Sequence, residues 1–162
     1  MENQKQEWKS GADLAEQGFE YIQQWLSKGI DPSVIKTDFE GLDNILSGFQ
    51  RGNMVILGGR PAMGKTALMQ NIILNVAQQG HSVGVFSLSD SAEQFMLRLL
   101  AIKSSVSMTA IRNGRINNET EIPKVMKACE DTHSLPIFVQ NRPASVNDIR
   151  ERANQLKQQQ KH

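Results

Sequence analysis

The chain has 162 residues, 39% hydrophobic and 22% charged, with a formal net charge of +1 and a single cysteine. That length holds one ordinary globular domain with an appendage, and no apolar run is long enough to cross a bilayer. Cys129 alone excludes an intramolecular disulfide, the scattered His81, His133 and His162 give no metal-ligand spacing, and the near-neutral charge argues neither for nor against nucleic acid.

Residues 1–9 are polar and read as a disordered tail. Their mixed charge lacks the basic start and apolar stretch of a secretory signal, so the cytoplasm is the expected location, with no membrane contact. Leu14, Ala15, Phe19, Ile22, Trp25 and Leu26 then recur at helical spacing and predict an amphipathic helix over 10–28, stopped by Lys28-Gly29. Gly29-Ile30-Asp31-Pro32 opens a linker over 29–36, and the body of the chain, 37–162, comes next. Thr37 and Glu40 have capping-box spacing and predict a short helix through Leu42, Ile45 and Leu46.

Met54-Val55-Ile56-Leu57 is a continuous apolar run ending in glycines, the pattern of a strand buried on both faces of a parallel sheet. Leu68, Met69, Ile72, Ile73 and Val76 predict a helix that ends near Gly80, and Ser82–Leu88 a second strand, which together make a βαβ unit. Ser91 and Gln94 cap a helix with Phe95, Met96, Leu99, Leu100 and Ile102 on its buried side. Gly114 breaks the chain, and a helix is predicted over 118–132, with Cys129 read as a small core residue. A third strand is predicted over Leu135–Val139, and Ser145 with Asp148 caps a last helix before the glutamine-rich end at 158–162. Arg150, Arg152, Lys157 and Lys161 on that helix read as a solvated face.

Between the first predicted strand and its helix lies Gly59-Arg60-Pro61-Ala62-Met63-Gly64-Lys65-Thr66, the pattern GxxxxGK[ST]. Gly59 and Gly64 allow backbone N–H groups to turn inward around phosphate oxygens, aided by the positive end of the succeeding helix. Lys65 is placed to reach the outer phosphates and Thr66 to ligate magnesium. A buried strand before the motif and an apolar-periodic helix after it are the context it requires. A purine nucleoside triphosphate or diphosphate, with ATP and Mg as the expected ligands, is therefore read at Gly59–Thr66.

From Thr37 onward the chain resembles the motor domain of DnaB-type replicative DNA helicases, hexameric RecA-like ATPases. The resemblance runs through Thr37-Asp38-Phe39-Glu40-Gly41-Leu42-Asp43, Ser47–Asn53, the Arg60-Pro61 loop, Phe86-Ser87-Leu88, Ser91-Ala92-Glu93-Gln94, Arg112–Ile116 and Val146–Arg150. It implies an α/β fold, a truncated RecA-like P-loop NTPase with a three-stranded parallel sheet flanked by helices. The 10–28 helix is then similar to the family's linker helix, which packs on a neighbouring subunit.

Two departures qualify what the resemblance implies. Where the family has the glutamate that activates the attacking water, this chain has Ser89, and Asp90 next to it is the alternative carboxylate. Loss of a general base costs about 10²- to 10⁴-fold in rate. The family's Walker B strand, DNA-binding loops and arginine finger have no counterpart, which implies a gap between the first and third strands. Either those strands close up or another chain fills the gap. The implied function is an ATP-binding, hydrolysis-impaired relative of the helicase that acts in replication through a helicase ring, a replicative helicase subunit or a second copy meeting the 10–28 helix. The front part of an active helicase, or a non-enzymatic interaction module, are the alternatives. DNA translocation by this chain alone is not expected.

Overall fold

The computed structural model describes residues 8–28, 34–142 and 144–159. The tail expected over 1–9, the linker over 29–36 and the glutamine-rich end at 158–162 fall wholly or partly outside them. In chain order the elements are α1 (Gly11–Lys28), α2 (Glu40–Leu46), α3 (Lys65–Gln78), β1 (Val83–Phe86), α4 (Ala92–Ser104), α5 (Met108–Arg112), α6 (Ile122–His133), β2 (Ile137–Gln140) and α7 (Val146–Gln159).

The hydrophobic centre forms where α3 and α4 meet one face of a small sheet. Ile73 and Leu74 of α3, Val85 of β1, and Phe95 and Leu99 of α4 make up the buried cluster, with Ile137 and Val139 of β2 packed against it. β1 and β2 pair in parallel, Val83 opposite Ile137 and Phe86 opposite Gln140. The pleat sends Val83 and Val85 toward α3 and α4, and leaves Gly84 toward α7. There Leu156 of α7 lies so close that a Cβ on Gly84 would come to 3.0 Å from Leu156 Cδ2, so α7 packs directly on the strand backbone. α6 covers α4, and its Ala128 and Thr132 are buried.

Local signals placed two helix starts. Ser91 Oγ accepts from Gln94 N–H at 3.2 Å, and Ser145 and Asp148 satisfy each other reciprocally, Ser145 N–H donating to Asp148 Oδ2 at 2.8 Å and Asp148 N–H to Ser145 Oγ at 3.2 Å. The Thr37–Glu40 box does not form. α2 begins after Phe39 with no side-chain cap: the Thr37 hydroxyl donates to Asp43 Oδ1 at 2.8 Å and accepts from Phe39 N–H at 3.2 Å, not from Glu40.

The sheet of the described residues has two strands, where three were expected. Met54–Leu57 forms no ladder and stands exposed, Met54 by 82%, Val55 by 53%, Ile56 by 77% and Leu57 by 47%. An apolar run reports that a segment is suited to burial, but not which edge it joins, and Met54–Leu57 pairs with neither β1 nor β2. Cys129 is exposed and not a core residue. The buried position of that helix turn is Ala128, one residue and about 100° away. α5 adds a helix that the sequence does not signal, being too short to show a period.

α1 carries the predicted apolar stripe with nothing over it among the described residues. From 11 to 27 every residue but Gly18 is exposed, and Tyr21 and Trp25 stack on one another with ring centroids 6.4 Å apart. No described helix is long and apolar enough to cross a membrane.

Candidate phosphate-binding site

Gly64 caps the start of α3 in the left-handed region, φ 82°, and Ala62 two residues earlier is left-handed as well, φ 61°. Glycine enters that region without steric cost, whereas alanine does so with strain. The two reversals wind residues 59–64 into a turn that ends on a helix N-terminus, where the first backbone N–H groups have no intrahelical acceptor and the helix dipole is positive.

Lys65 folds back over this turn. Its Nζ donates to the Gly59 carbonyl at 2.8 Å and to the Arg60 carbonyl at 2.7 Å, and the Lys65 stem lies 3.5 Å from where a Gly59 Cβ would be. A Cβ at Gly59 would meet the stem at ordinary van der Waals contact. A cavity of about 440 Å³ opens here, lined by Leu57, Gly59, Arg60, Met63, Gly64 and Lys65. The whole stretch from Gln50 to Gly64 is exposed, as is Thr66. A helix start with unsatisfied N–H groups, a lysine ammonium on the rim and an exposed hydroxyl form a donor set that fits phosphate oxygens and, through Thr66, a hard divalent cation.

A larger cavity of about 900 Å³ lies between α3, α4 and α5, lined among others by Gln70, Gln94, Arg98, Met108 and Arg112. It shares no lining residue with the loop's cavity. The helix start on it, that of α5, is already capped by the Ser107 hydroxyl accepting from Ala110 N–H at 3.4 Å. Size does not make it the phosphate site, because it offers no comparable array of free backbone donors.

Beyond β1 the chain turns through Ser89 and Asp90. Ser89 is exposed. The turn is fixed by the Ser87 hydroxyl donating to the Asp90 carbonyl at 2.7 Å, and the Asp90 carboxylate is drawn to Arg98 of α4, Oδ1 to Nη2 3.6 Å. At that distance the two form a partly exposed ion pair without a hydrogen bond. Nearby Glu93, hydrogen-bonded to Ser91, is held below the ordinary glutamate value.

A group the sequence reading missed lies at the other end of α3. Asn75 Nδ2 donates to the Thr37 carbonyl at 2.8 Å, and Gln79 Nε2 to the Lys36 carbonyl at 3.0 Å and to Asp38 Oδ2 at 3.1 Å. Thr37, fully buried, and Asp38 direct their N–H groups onto the two oxygens of Asp43. The signal was the amide stripe Asn71, Asn75 and Gln79, at i, i+4 and i+8 along α3 and its C-cap.

Compared with known proteins, residues 34–162 match the family described as DnaB-like helicase C terminal domain. The replicative DNA helicase DnaB of Helicobacter pylori is 34% identical over 151 residues, covering 92% of this chain and 31% of that protein. The DnaB of Geobacillus stearothermophilus is 32% identical over 154 residues, 94% of this chain and 34% of that protein. The chain therefore spans about a third of the length of these relatives. Among solved structures, an ATPase domain superposes with a TM-score of 0.82 at 23% identity, covering 94% of this chain and 54% of that one. A DnaB-like replicative helicase, solved in a study of its interactions with primase, superposes with a TM-score of 0.83 at 23% identity, covering 94% of this chain and 36% of that one. At that identity the likeness carries the fold.

Proposed function

The chain belongs to the DnaB-like helicase C-terminal domain family, and from that premise we propose that it binds ATP with magnesium at Gly59–Thr66 and hydrolyses it slowly. The observation that carries this reading is the loop geometry: a left-handed Gly64 opening α3, with Lys65 laid across the carbonyls of Gly59 and Arg60. Backbone N–H groups of the turn would bind phosphate oxygens, Lys65 would exchange those carbonyls for the outer phosphates, and Thr66 would hold the magnesium ion. Bound magnesium supplies charge neutralisation between the phosphates.

Slow turnover is expected from the residues after β1. Ser89 has no carboxylate, and Asp90 is engaged by Arg98. The expected deficit is about 10²- to 10⁴-fold relative to a site with its general base.

Action in DNA replication through a helicase ring completes the proposal, with α1 as the element that meets a neighbouring subunit. Its exposed Phe19, Tyr21, Trp25 and Leu26 are the anchors. A second reading, in which the chain shares in the activity of a larger helicase assembly, is favoured by the unpaired Met54–Leu57 run, which a further strand would cover.

Titration with ATP and magnesium tests the first reading. The parent chain should bind, Lys65→Ala should lose binding by at least about tenfold while keeping its helical signal, and Ser89→Glu should raise turnover. Equal binding by the parent and Lys65→Ala would falsify the site assignment. Turnover that appears only on mixing with a replicative helicase favours the second reading.

A further inference from the structure

Residues 35–49 form a closed unit. Ile35 and Phe49 exchange backbone hydrogen bonds in an antiparallel bridge, Ile35 N–H to the Phe49 carbonyl at 3.0 Å and Phe49 N–H to the Ile35 carbonyl at 2.7 Å. Inside it, the Asp43 carboxylate gathers the Thr37 N–H and hydroxyl, each at 2.8 Å, and the Asp38 N–H at 3.1 Å. Gly48, left-handed at φ 75°, seals the unit under Val34, whose side chain occupies the place of a Cβ.

Little apolar surface fastens this unit to the rest of the molecule, since α2 has no buried residue. The polar fastening is the pair of amides on α3, Asn75 to Thr37 and Gln79 to Lys36 and Asp38. The segment after the unit is loosely held. From Gln50 to Gly64 every residue is exposed, and the backbone bonds closing within the stretch are Asn53 N–H to the Gln50 carbonyl at 3.2 Å and Met63 N–H to the Arg60 carbonyl at 3.4 Å.

A segment held so lightly is positioned by its ends, and both ends refer to the same helix. The C-terminal end runs into α3 at Lys65, and the N-terminal end leaves the unit that Asn75 and Gln79 hold near the end of that helix. The rise of a helix puts Asn75 roughly 14 Å along the axis from Thr66. We propose that Asn75 and Gln79 are positioning residues for the phosphate loop: by docking residues 36–38 on α3, they set where the Gln50–Gly64 segment starts and hold the loop ready for phosphate. Without them the loop must be ordered when nucleotide binds, and that entropy is subtracted from affinity. The inference rests on the nucleotide-binding reading of Gly59–Thr66.

Gln79 makes the clean test, because it is exposed at the C-cap of α3, clear of the Ile73, Leu74, Phe95 and Leu99 core. In the 162-residue chain, Gln79→Met keeps side-chain length and removes both donated bonds, whereas Gln79→Lys supplies a donor that can reach the Lys36 carbonyl and the Asp38 carboxylate. Amide hydrogen exchange over 50–64 and over α4 is read without nucleotide, and affinity with a fluorescent N-methylanthraniloyl ATP analogue and magnesium. Gln79→Met should weaken binding by about five- to tenfold, the worth of a net hydrogen bond, and speed exchange at Asn53 and Met63, the bonded amides of the 50–64 segment, but not in α4. Gln79→Lys should return both to the parent values, and Asn75→Ala combined with Gln79→Met should exceed the single change. Unchanged exchange at Asn53 and Met63 in Gln79→Met, or faster exchange everywhere at once, overturns the positioning role. A parent chain that fails to bind the analogue overturns the nucleotide reading, while the exchange result still decides whether the amides hold the segment.

Discussion

At the scale of single residues, Asp43 links stability to pH. Burial opposes its ionisation, but hydrogen bonds from the Thr37 N–H, the Thr37 hydroxyl and the Asp38 N–H, with the charge of Lys36, outweigh it and hold the carboxyl below the ordinary aspartate value. The folded chain therefore keeps Asp43 ionised at a pH where the unfolded chain has already taken up a proton, near pH 3.9. The stabilisation is complete above that pH and is lost as pH falls through the lower folded value. Asp43→Asn keeps the shape and the acceptor for Thr37 but turns an amide N–H toward the Asp38 N–H. A loss of about 1 kcal/mol at neutral pH is expected, with a shallower fall in stability on the acid side. Urea denaturation at pH 7 and pH 3 measures both. Asp148, held low by the Ser145 N–H and hydroxyl, and Glu93 add to the acid sensitivity of parent and variant alike, so the difference between the two curves is the test. Parallel curves would remove Asp43 from the account.

At the scale of elements, legibility in the sequence depended on how far the deciding partner lay. Ser91 and Gln94 are three residues apart and decide the start of α4 between themselves, so the cap was legible. Ser91→Ala should cost about 1 kcal/mol, visible as a lower thermal midpoint with α4 exchange raised first in its opening turn. A midpoint unmoved by the substitution would mean that tertiary packing of Phe95 and Leu99 sets the helix start unaided. Thr37 and Glu40 have the same spacing, yet the box is absent, because Asp43 holds the Thr37 N–H and hydroxyl and the Asp38 N–H, and the Thr37 oxygen accepts from Phe39 N–H. The turn at Gly59–Lys65 was legible as local geometry, because glycine placement is a local requirement: Gly64 is left-handed at the start of α3 and Lys65 lies back across the Gly59 carbonyl. The fastening at Asn75 and Gln79 was not, since its partners lie about forty positions away, and sequence separation hides which carbonyls an amide will find. The placement of Cys129 failed by a single position of helical phase, the smallest error periodicity can make.

At the scale of the molecule, two apolar surfaces lack cover among the described residues. One is the stripe of α1, with Phe19 at 60%, Trp25 at 50% and Leu26 at 83% exposure. The other is Met54–Leu57, apolar at four consecutive positions, so that both of its faces, and not one, avoid water. An unpaired segment of this kind offers backbone donors and acceptors beside apolar side chains, which is the arrangement that recruits another strand. The two surfaces differ in what they need, one a groove for a helix and the other a strand with cover on two faces, so their contributions to association should be separable. Sedimentation velocity over a concentration series should show the parent chain associating. Ile56→Lys places a charge at a position already 77% exposed, so it should leave the fold intact and reduce that association. Trp25→Lys should reduce it independently, and the double substitution by the sum of the two effects. If Ile56→Lys associates as the parent does while Trp25→Lys is monomeric, α1 alone joins copies and the Met54–Leu57 run stays available for a different chain. The reverse result assigns self-association to the strand and leaves α1 free for a different chain.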